Sequence, residues 1–267
     1  MSPRSFVPLL EEAAGRVEVK VEWLSDHWIG CLTRAGSVQY VHGTQFPLNL
    51  ASAAFAAHDK VSTSTILSDG GIPAVAHLLV RFRSRRVVEH VIDPLLPGLR
   101  FPVVVKPLSA SGGSDVVLAR SVTELREALV SLAPRHAALA VSPFERIDAE
   151  YRVVVLDRAP LLCFRKDPAP GEWRHNLGRG ARPTLVEDDL LRARLEELAV
   201  GALDRIGGRF MAVDIVRVPE GLKVLEINSG VALGRFSRQG PEYRELGLGV
   251  YERAVRVMFG RGVRPVR

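Results

Sequence analysis

The sequence predicts an α+β fold built from helices and mainly antiparallel strands. Three observations carry that expectation. Short β-branched runs recur in pairs around turn residues, so hairpins outnumber the strand–helix–strand crossovers that a doubly wound parallel sheet requires. Residues 188–206 and 241–259 each read as a long helix, the first by its clear helical spacing of apolar side chains. The chain of 267 residues, 47% hydrophobic, is also long enough to bury a large core in one domain or two.

Taken in order, residues 17–24 and 27–33 alternate like two short strands. Residues 48–68 are rich in alanine and leucine and break once, at His58-Asp59, which predicts two consecutive helices. Gly70-Gly71-Ile72-Pro73 stops the second, since glycine closes a helix and proline cannot continue it. Strands are expected at 74–80, 101–106 and 116–119, with a basic segment and a Ser/Gly loop between them. Ser121-Val122-Thr123-Glu124 is a capping box opening a helix to about residue 132. Strands follow at 137–142, 151–156 and 161–165, then a loop over 166–182 dense in glycine, proline and charge. The 188–206 helix precedes a hairpin at 211–228, and the 241–259 helix ends the pattern.

Composition narrows the function classes. No run of about 18 apolar residues predicts a membrane span, and acids at Glu11 and Glu12 come too early for a secretory signal. Cys31 and Cys163 are too few for a disulfide framework and lack metal-ligand spacing. A cytoplasmic protein is the expectation. The net charge of +6, the isoelectric point near 9.7 and the basic run over 81–86 invite a nucleic-acid reading. Against it, 30 acids are interspersed among 36 basic residues, of which only Lys20, Lys60, Lys106, Lys166 and Lys223 are lysine. A polyanionic small ligand accounts for part of the charge equally well.

The hairpin at 211–228 is the most informative segment. Pairing Val218 with Leu222 across Pro219-Glu220-Gly221 sets Asp214 opposite Glu226, with Asn228 on the same face. Opposed carboxylates have Cβ atoms about 4.5–5.5 Å apart and repel. A hard divalent cation removes that repulsion, and two carboxylates with an amide oxygen are ligands that Mg²⁺ accepts. Taken alone, the hairpin equally fits two acids that simply face water. Further upstream, Lys106 ends a strand before Ser109-Ala110-Ser111-Gly112-Gly113-Ser114, whose small residues let backbone N–H groups approach phosphate oxygens. Its spacing excludes a Walker loop, and an ordinary hairpin turn fits the same residues.

The order of these motifs resembles the ATP-grasp superfamily, in particular its carboxylate–amine ligases, over about residues 45–259. Asp59-Lys60 on a helix precedes Gly71-Ile72-Pro73; the Lys106 strand and its loop, a hinge, and the Asp214…Glu226-Ile227-Asn228 hairpin follow. The resemblance implies an ATP-grasp fold with two α/β subdomains gripping the nucleotide, at 59–142 and 143–267, and a reduced N-terminal region at 1–58. Lys60 and Lys106 would hold ATP phosphates under a lid of Ser111, Gly112, Gly113 and Ser114. Backbone groups of Ser142 and Phe144 would meet adenine, with the Ser142 carbonyl and Phe144 N–H left to do so because Pro143 has no N–H. Glu150 would bind the ribose, and Arg152 would be a core arginine of the site.

By the same resemblance Arg174, Asn176 and Arg179 belong to a loop reading Arg-x-Asn-x-x-Arg-Gly, in which the last two contact the transferred phosphate and the attacked carbonyl oxygen. Asp214, Glu226 and Asn228 match its Mg²⁺ ligands, with Mn²⁺ a substitute. The implied substrates are ATP, a carboxylate and an amine, small or peptidic. His175 is expected to face solvent, and Trp173 and Phe236 to serve packing. The short N-terminal region leaves room for a partner chain, or a homodimer, to complete the site.

Overall fold

The computed structural model describes residues 5–82, 96–109 and 115–260, and elements are numbered among these. Helix α1 (Val7–Gly15) leads into β1 (Lys20–Leu24), β2 (Ile29–Arg34) and β3 (Ser37–His42). Helices α2 (Ala51–His58) and α3 (Lys60–Asp69) precede β4 (Leu78–Arg81), β5 (Val103–Pro107), β6 (Val117–Ala119), α4 (Val122–Leu132) and β7 (Ala138–Pro143). The remainder comprises β8 (Ala149–Leu156), β9 (Ala159–Asp167), β10 (Arg182–Leu185), α5 (Asp189–Ile206), β11 (Phe210–Val218), β12 (Gly221–Asn228) and α6 (Pro241–Gly260). All named strand pairs are antiparallel, in sheets ordered β1-β2-β3, β4-β7-β5-β6 and β10-β9-β8-β11-β12. The α+β expectation holds.

Local chemistry sets the helix starts. Asp59 accepts the Ser62 N–H at 2.8 Å and Asp188 the Leu191 N–H at 3.0 Å, each satisfying a donor the first turn leaves open. At α4, Ser121 accepts from the Glu124 N–H at 3.2 Å, while Glu124 reaches back to the Arg120 N–H rather than to Ser121. Helix α5 ends on Gly207, whose φ of 74° suits a residue without a side chain.

The five-stranded sheet is covered on both faces. Val153, Val155, Met211, Val213 and Ile215 pack under α2, α3 and α5. Val154, Leu156, Leu162, Phe164, Phe210 and Ala212 pack on the other side, with Leu9, Leu10, Leu32 and Tyr251 of α1, β2 and α6. Double burial explains why β8 and β11 read as continuous apolar runs. The four-stranded sheet, β4-β7-β5-β6, rests on Leu125, Leu129 and Leu132 of α4.

Three expectations need correcting. Helix α1 and strands β3 and β10 were not anticipated; β3 pairs with β2 across Ala35-Gly36, both at positive φ, and Pro183 is tolerated in β10 because that strand is a sheet edge. Residues 74–77 lie outside β4 and run beside β12, where the Val75 N–H donates to the Val224 carbonyl at 2.9 Å. The hairpin turns over two residues, pairing Val218 with Gly221 rather than Leu222. An irregularity at Leu225 then shifts the register, so Asp214 still opposes Glu226. No helix among the described residues is long and apolar enough to cross a membrane.

Candidate active site

One face of the large sheet changes character along its strands. Its apolar end lies under α1 and α6, and the same face continues into Glu150, Arg152, Lys166, Asp214 and Glu226. Cross-strand pairing fixes their order: Lys166 opposes Glu150, and Phe164, Arg152, Asp214 and Glu226 form the next row across β9, β8, β11 and β12. These charges floor a cavity of about 710 Å³. Lys60, Lys106, Ser142, Phe144, Glu150, Arg152, Arg174, Asn176, Asp214, Glu226 and Asn228 all line it. Of the remaining expected site residues, Ser111, Gly112, Gly113 and Ser114 fall outside the described residues, as do residues 83–86 of the basic run. Arg179 is exposed beside this cavity, with Nη1 3.9 Å from Glu172.

Asp214 is the electrostatic centre. Arg152 donates to its two oxygens at 2.7 and 2.6 Å, and Lys166 Nζ lies 3.0 Å away while also pairing with Glu150. Burial alone would raise the Asp214 pKa, but Arg152 and Lys166 hold it well below the usual carboxylate range. For Glu150 burial wins over Lys166 and, with the neighbouring Asp214 charge, pushes the carboxyl upward. Glu150 and Arg152 are therefore buried members of one network, not an exposed pair.

The Asn228 amide nitrogen sits 3.2 Å from Glu226 Oε1 and 3.4 Å from Asp214 Oδ2, a donor bridging two acids. With the amide turned, its oxygen would face the same point, so the donor set fits a hard divalent cation. No third acid, histidine or cysteine joins the pair among the described residues. Other coordination positions therefore fall to water or to oxygens of a bound ligand.

Two lysines overhang this floor from separate elements. Lys60 opens α3, with Nζ 3.9 Å from Glu226, and Lys106 ends β5; both are buried. Burial pushes the Lys106 pKa down to about 8, with Glu226 opposing and Lys60 adding to the fall. An incoming anion would relieve this strain on its charge. His77, buried nearby, is pushed down to about 2 by burial and by these same lysines, so it contributes no charge.

At the hinge, the Phe144 N–H donates to the Pro102 carbonyl at 3.0 Å. That backbone donor is thus spent within the protein, and Phe144 presents its ring to the cavity, 6.1 Å from Trp173. Trp173 is 43% exposed and lies beside Arg174, so it is not a packing residue, whereas Phe236 is fully buried as expected. Arg174 is held by a bidentate pair with Glu172, at 2.8 Å for both contacts. Asn176 turns its oxygen onto the Gly178 N–H at 2.7 Å. His175 does not face solvent: its ring is buried, with Nδ1 2.8 Å from the Lys166 carbonyl.

Sequence reasoning missed Lys166, although it is one of five lysines and sits one strand from Glu150. Its glycine-, proline- and charge-rich surroundings read as loop, whereas β9 runs on to Asp167. Also unforeseen was the contribution of the N-terminal region. Ser5, Phe6, Thr44 and Gln45 line the cavity, and the Gln45 amide lies 3.0 Å from Ser229 Oγ. A Cβ on Gly230 would come within 2.7 Å of Thr44 Oγ1, so this loop is seated closely on the residues that follow β12.

The chain is 27% identical over 226 residues to the alpha-aminoadipate–LysW ligase LysX of Sulfurisphaera tokodaii, covering 81% of this chain and 74% of that one. Against the probable alpha-L-glutamate ligase of Shewanella halifaxensis it is 31% identical over 134 residues, covering 49% of this chain but only 29% of the relative. The D-alanine–D-alanine ligase of Bacillus anthracis, solved in complex with ATP, superposes with a TM-score of 0.61 at 17% identity, covering 80% of this chain and 71% of that one. That likeness concerns the fold. The model of the RimK-like ATP-grasp domain matches residues 57–241, more than half of the chain, and the chain belongs to that family.

Proposed function

We propose that the protein is an ATP-dependent carboxylate–amine ligase. One observation supports this most: Asp214, Glu226 and Asn228 converge on the cavity that Lys60 and Lys106 overhang. A carboxylate resists amines because its charge repels them and oxide cannot leave. Moving the ATP γ-phosphoryl group onto it gives an acylphosphate and ADP. An amine then attacks the carbonyl carbon, the C–N bond forms, the C–O bond to phosphate breaks, and the amine loses a proton. Such phosphoryl transfer needs positioning and charge neutralisation more than covalent help.

Each residue has a part in that scheme. Glu226, Asn228 and Asp214 would hold Mg²⁺ or Mn²⁺, which when bound offsets phosphate charge. Lys60, Lys106 and Lys166 neutralise what remains. Arg152 keeps Asp214 ionised and oriented. The cavity wall around Ser142 and Phe144 takes the base, Glu150 lies within the ribose region, and Asn176 and Arg179 stabilise oxygen charge as the amine adds. Residues 59–142 and 143–267 grip the nucleotide from either side. Dependence on ATP suits a cytoplasmic location.

Hydroxylamine trapping tests the reaction. With Mg²⁺, ATP and a screen of carboxylic acids, the expected outcome is ADP release together with a hydroxamate. A stable phosphorylated product would instead indicate transfer to a hydroxyl. Nucleotide binding with no ADP release over a broad acid and amine screen would mean a non-catalytic subunit.

A further inference from the structure

We propose that β3 pairs edge to edge with β3 of a second copy of this chain, joining two three-stranded sheets into one antiparallel sheet. No residue of β1, β2 or β3 lines the cavity, so this surface is independent of the ligase reading. The sheet order is β1-β2-β3, and among the described residues β3 has a strand on one side only. The two-residue turn Ala35-Gly36, both at positive φ, makes Arg34 and Ser37 the first hydrogen-bonded pair of the hairpin. Alternation then aims the backbone groups of Ser37, Gln39 and Val41 at β2, and those of Val38, Tyr40 and His42 outward. His42 obeys that parity: its N–H donates to the Gln45 carbonyl at 3.1 Å, and its carbonyl accepts from the Gln45 N–H at 3.0 Å. The outward groups of Val38 and Tyr40 have no such partner among the described residues.

The other sheet edges are guarded. Strand β1 carries the Lys20–Glu22 ion pair at 2.6 Å, and β10 carries Arg182 and Pro183. Against β12 lies the segment 73–75, where Val224 donates to the Pro73 carbonyl and accepts from the Val75 N–H. Strands β4 and β6 are four and three residues long. By contrast β3, Ser-Val-Gln-Tyr-Val-His, is six residues long with no proline, acid, lysine or arginine. Such an edge is a template for another strand. Its outer face is apolar as well: Val38 is 43% and Tyr40 56% exposed, and the exposed Trp28 packs edge-on to His42.

The edge is also self-complementary. About a two-fold axis through Gln39, each Val38 opposes Tyr40 of the other copy, and the two residues exchange both backbone hydrogen bonds. The outward groups that Gln45 does not take are thereby satisfied, and Val38 meets the opposing Tyr40 ring on a shared face. An axis through Tyr40 would instead set Val38 against His42, whose backbone groups Gln45 already holds. The pairing is isologous, and the charged β1 edges at either end stop growth at a dimer.

Sedimentation velocity on the full chain tests the pairing. The expected result is a concentration-dependent dimer. Val38→Lys with Tyr40→Lys sets cations opposite one another and should weaken dimerisation at least about tenfold. Both positions are exposed, so the variant should keep its far-ultraviolet circular dichroism. In a Cys31→Ser background, Gln39→Cys should crosslink the dimer on oxidation, because Cα atoms across such a non-hydrogen-bonded pair lie about 4.5 Å apart. Val38→Cys should not crosslink. A chain that stays monomeric overturns the proposal, even one whose Val38 and Tyr40 amides resist hydrogen exchange, since another segment then covers the edge. So does a dimer that the lysine variant leaves equally tight, or one that Gln39→Cys fails to crosslink.

Discussion

Lys106 and Asp214 show how one cavity shifts neighbouring charges in opposite senses. Buried and close to Lys60, Lys106 has its pKa pushed down to about 8, so its ammonium is fully charged only below that pH. Nucleotide affinity should therefore fall as pH rises from about 7 to 9, well before an ordinary lysine titrates. Lys106→Arg should flatten that dependence, because guanidinium keeps its charge throughout; calorimetric titration across this range checks both. Asp214 answers a different question. Neutralising it leaves Arg152 and Lys166 buried with less counter-charge, so Asp214→Asn should lose about 3–5 kcal/mol of stability in denaturant unfolding. Glu226 carries less of that network, and Glu226→Ala should abolish turnover with the fold intact; near-wild-type activity would remove it from the proposed metal site. Most of these residues were legible because lysine and asparagine are scarce in this chain. Lys166 and His175 were not, because their surroundings are made by strand pairing that the local sequence does not announce.

At the scale of elements, the β11–β12 hairpin is instructive. Its strands, and the opposition of Asp214 to Glu226, could be read from alternation, yet the turn holds two residues and not three. The extra residue is Leu225, which lines the cavity. Two register differences offset each other, and residue alternation cannot reveal either. The loop after β12 carries its own prediction. Gly234→Ala would drive a methyl group into the Ser5 backbone, which cannot yield as a flexible side-chain end does. The expected cost is about 1–3 kcal/mol, measured as a lowered unfolding midpoint. An unchanged midpoint would mean that the N-terminal segment is not fixed against this loop.

Over the whole molecule, the positions of α2 to α6 and the α+β class followed from caps, periodicity and turn residues, with differences of only a few residues at most ends, whereas α1 was not anticipated. What the chain pattern could not supply was layering. The N-terminal region reads as a reduced appendage, yet Leu9, Leu10 and Leu32 join the core under the large sheet, and Thr44 and Gln45 help wall the cavity. Such contacts join residues nearly two hundred positions apart, where periodicity carries no signal. On the proposed function, the charged end of this sheet face carries a metal-bound nucleoside triphosphate. Anomalous diffraction from crystals grown with Mn²⁺ and a non-hydrolysable ATP analogue tests it directly. The expected result is an anomalous peak in contact with Glu226 and Asn228, with the analogue's phosphates reaching Lys60 and Lys106. Manganese bound elsewhere, or an analogue lying away from both lysines, would contradict it.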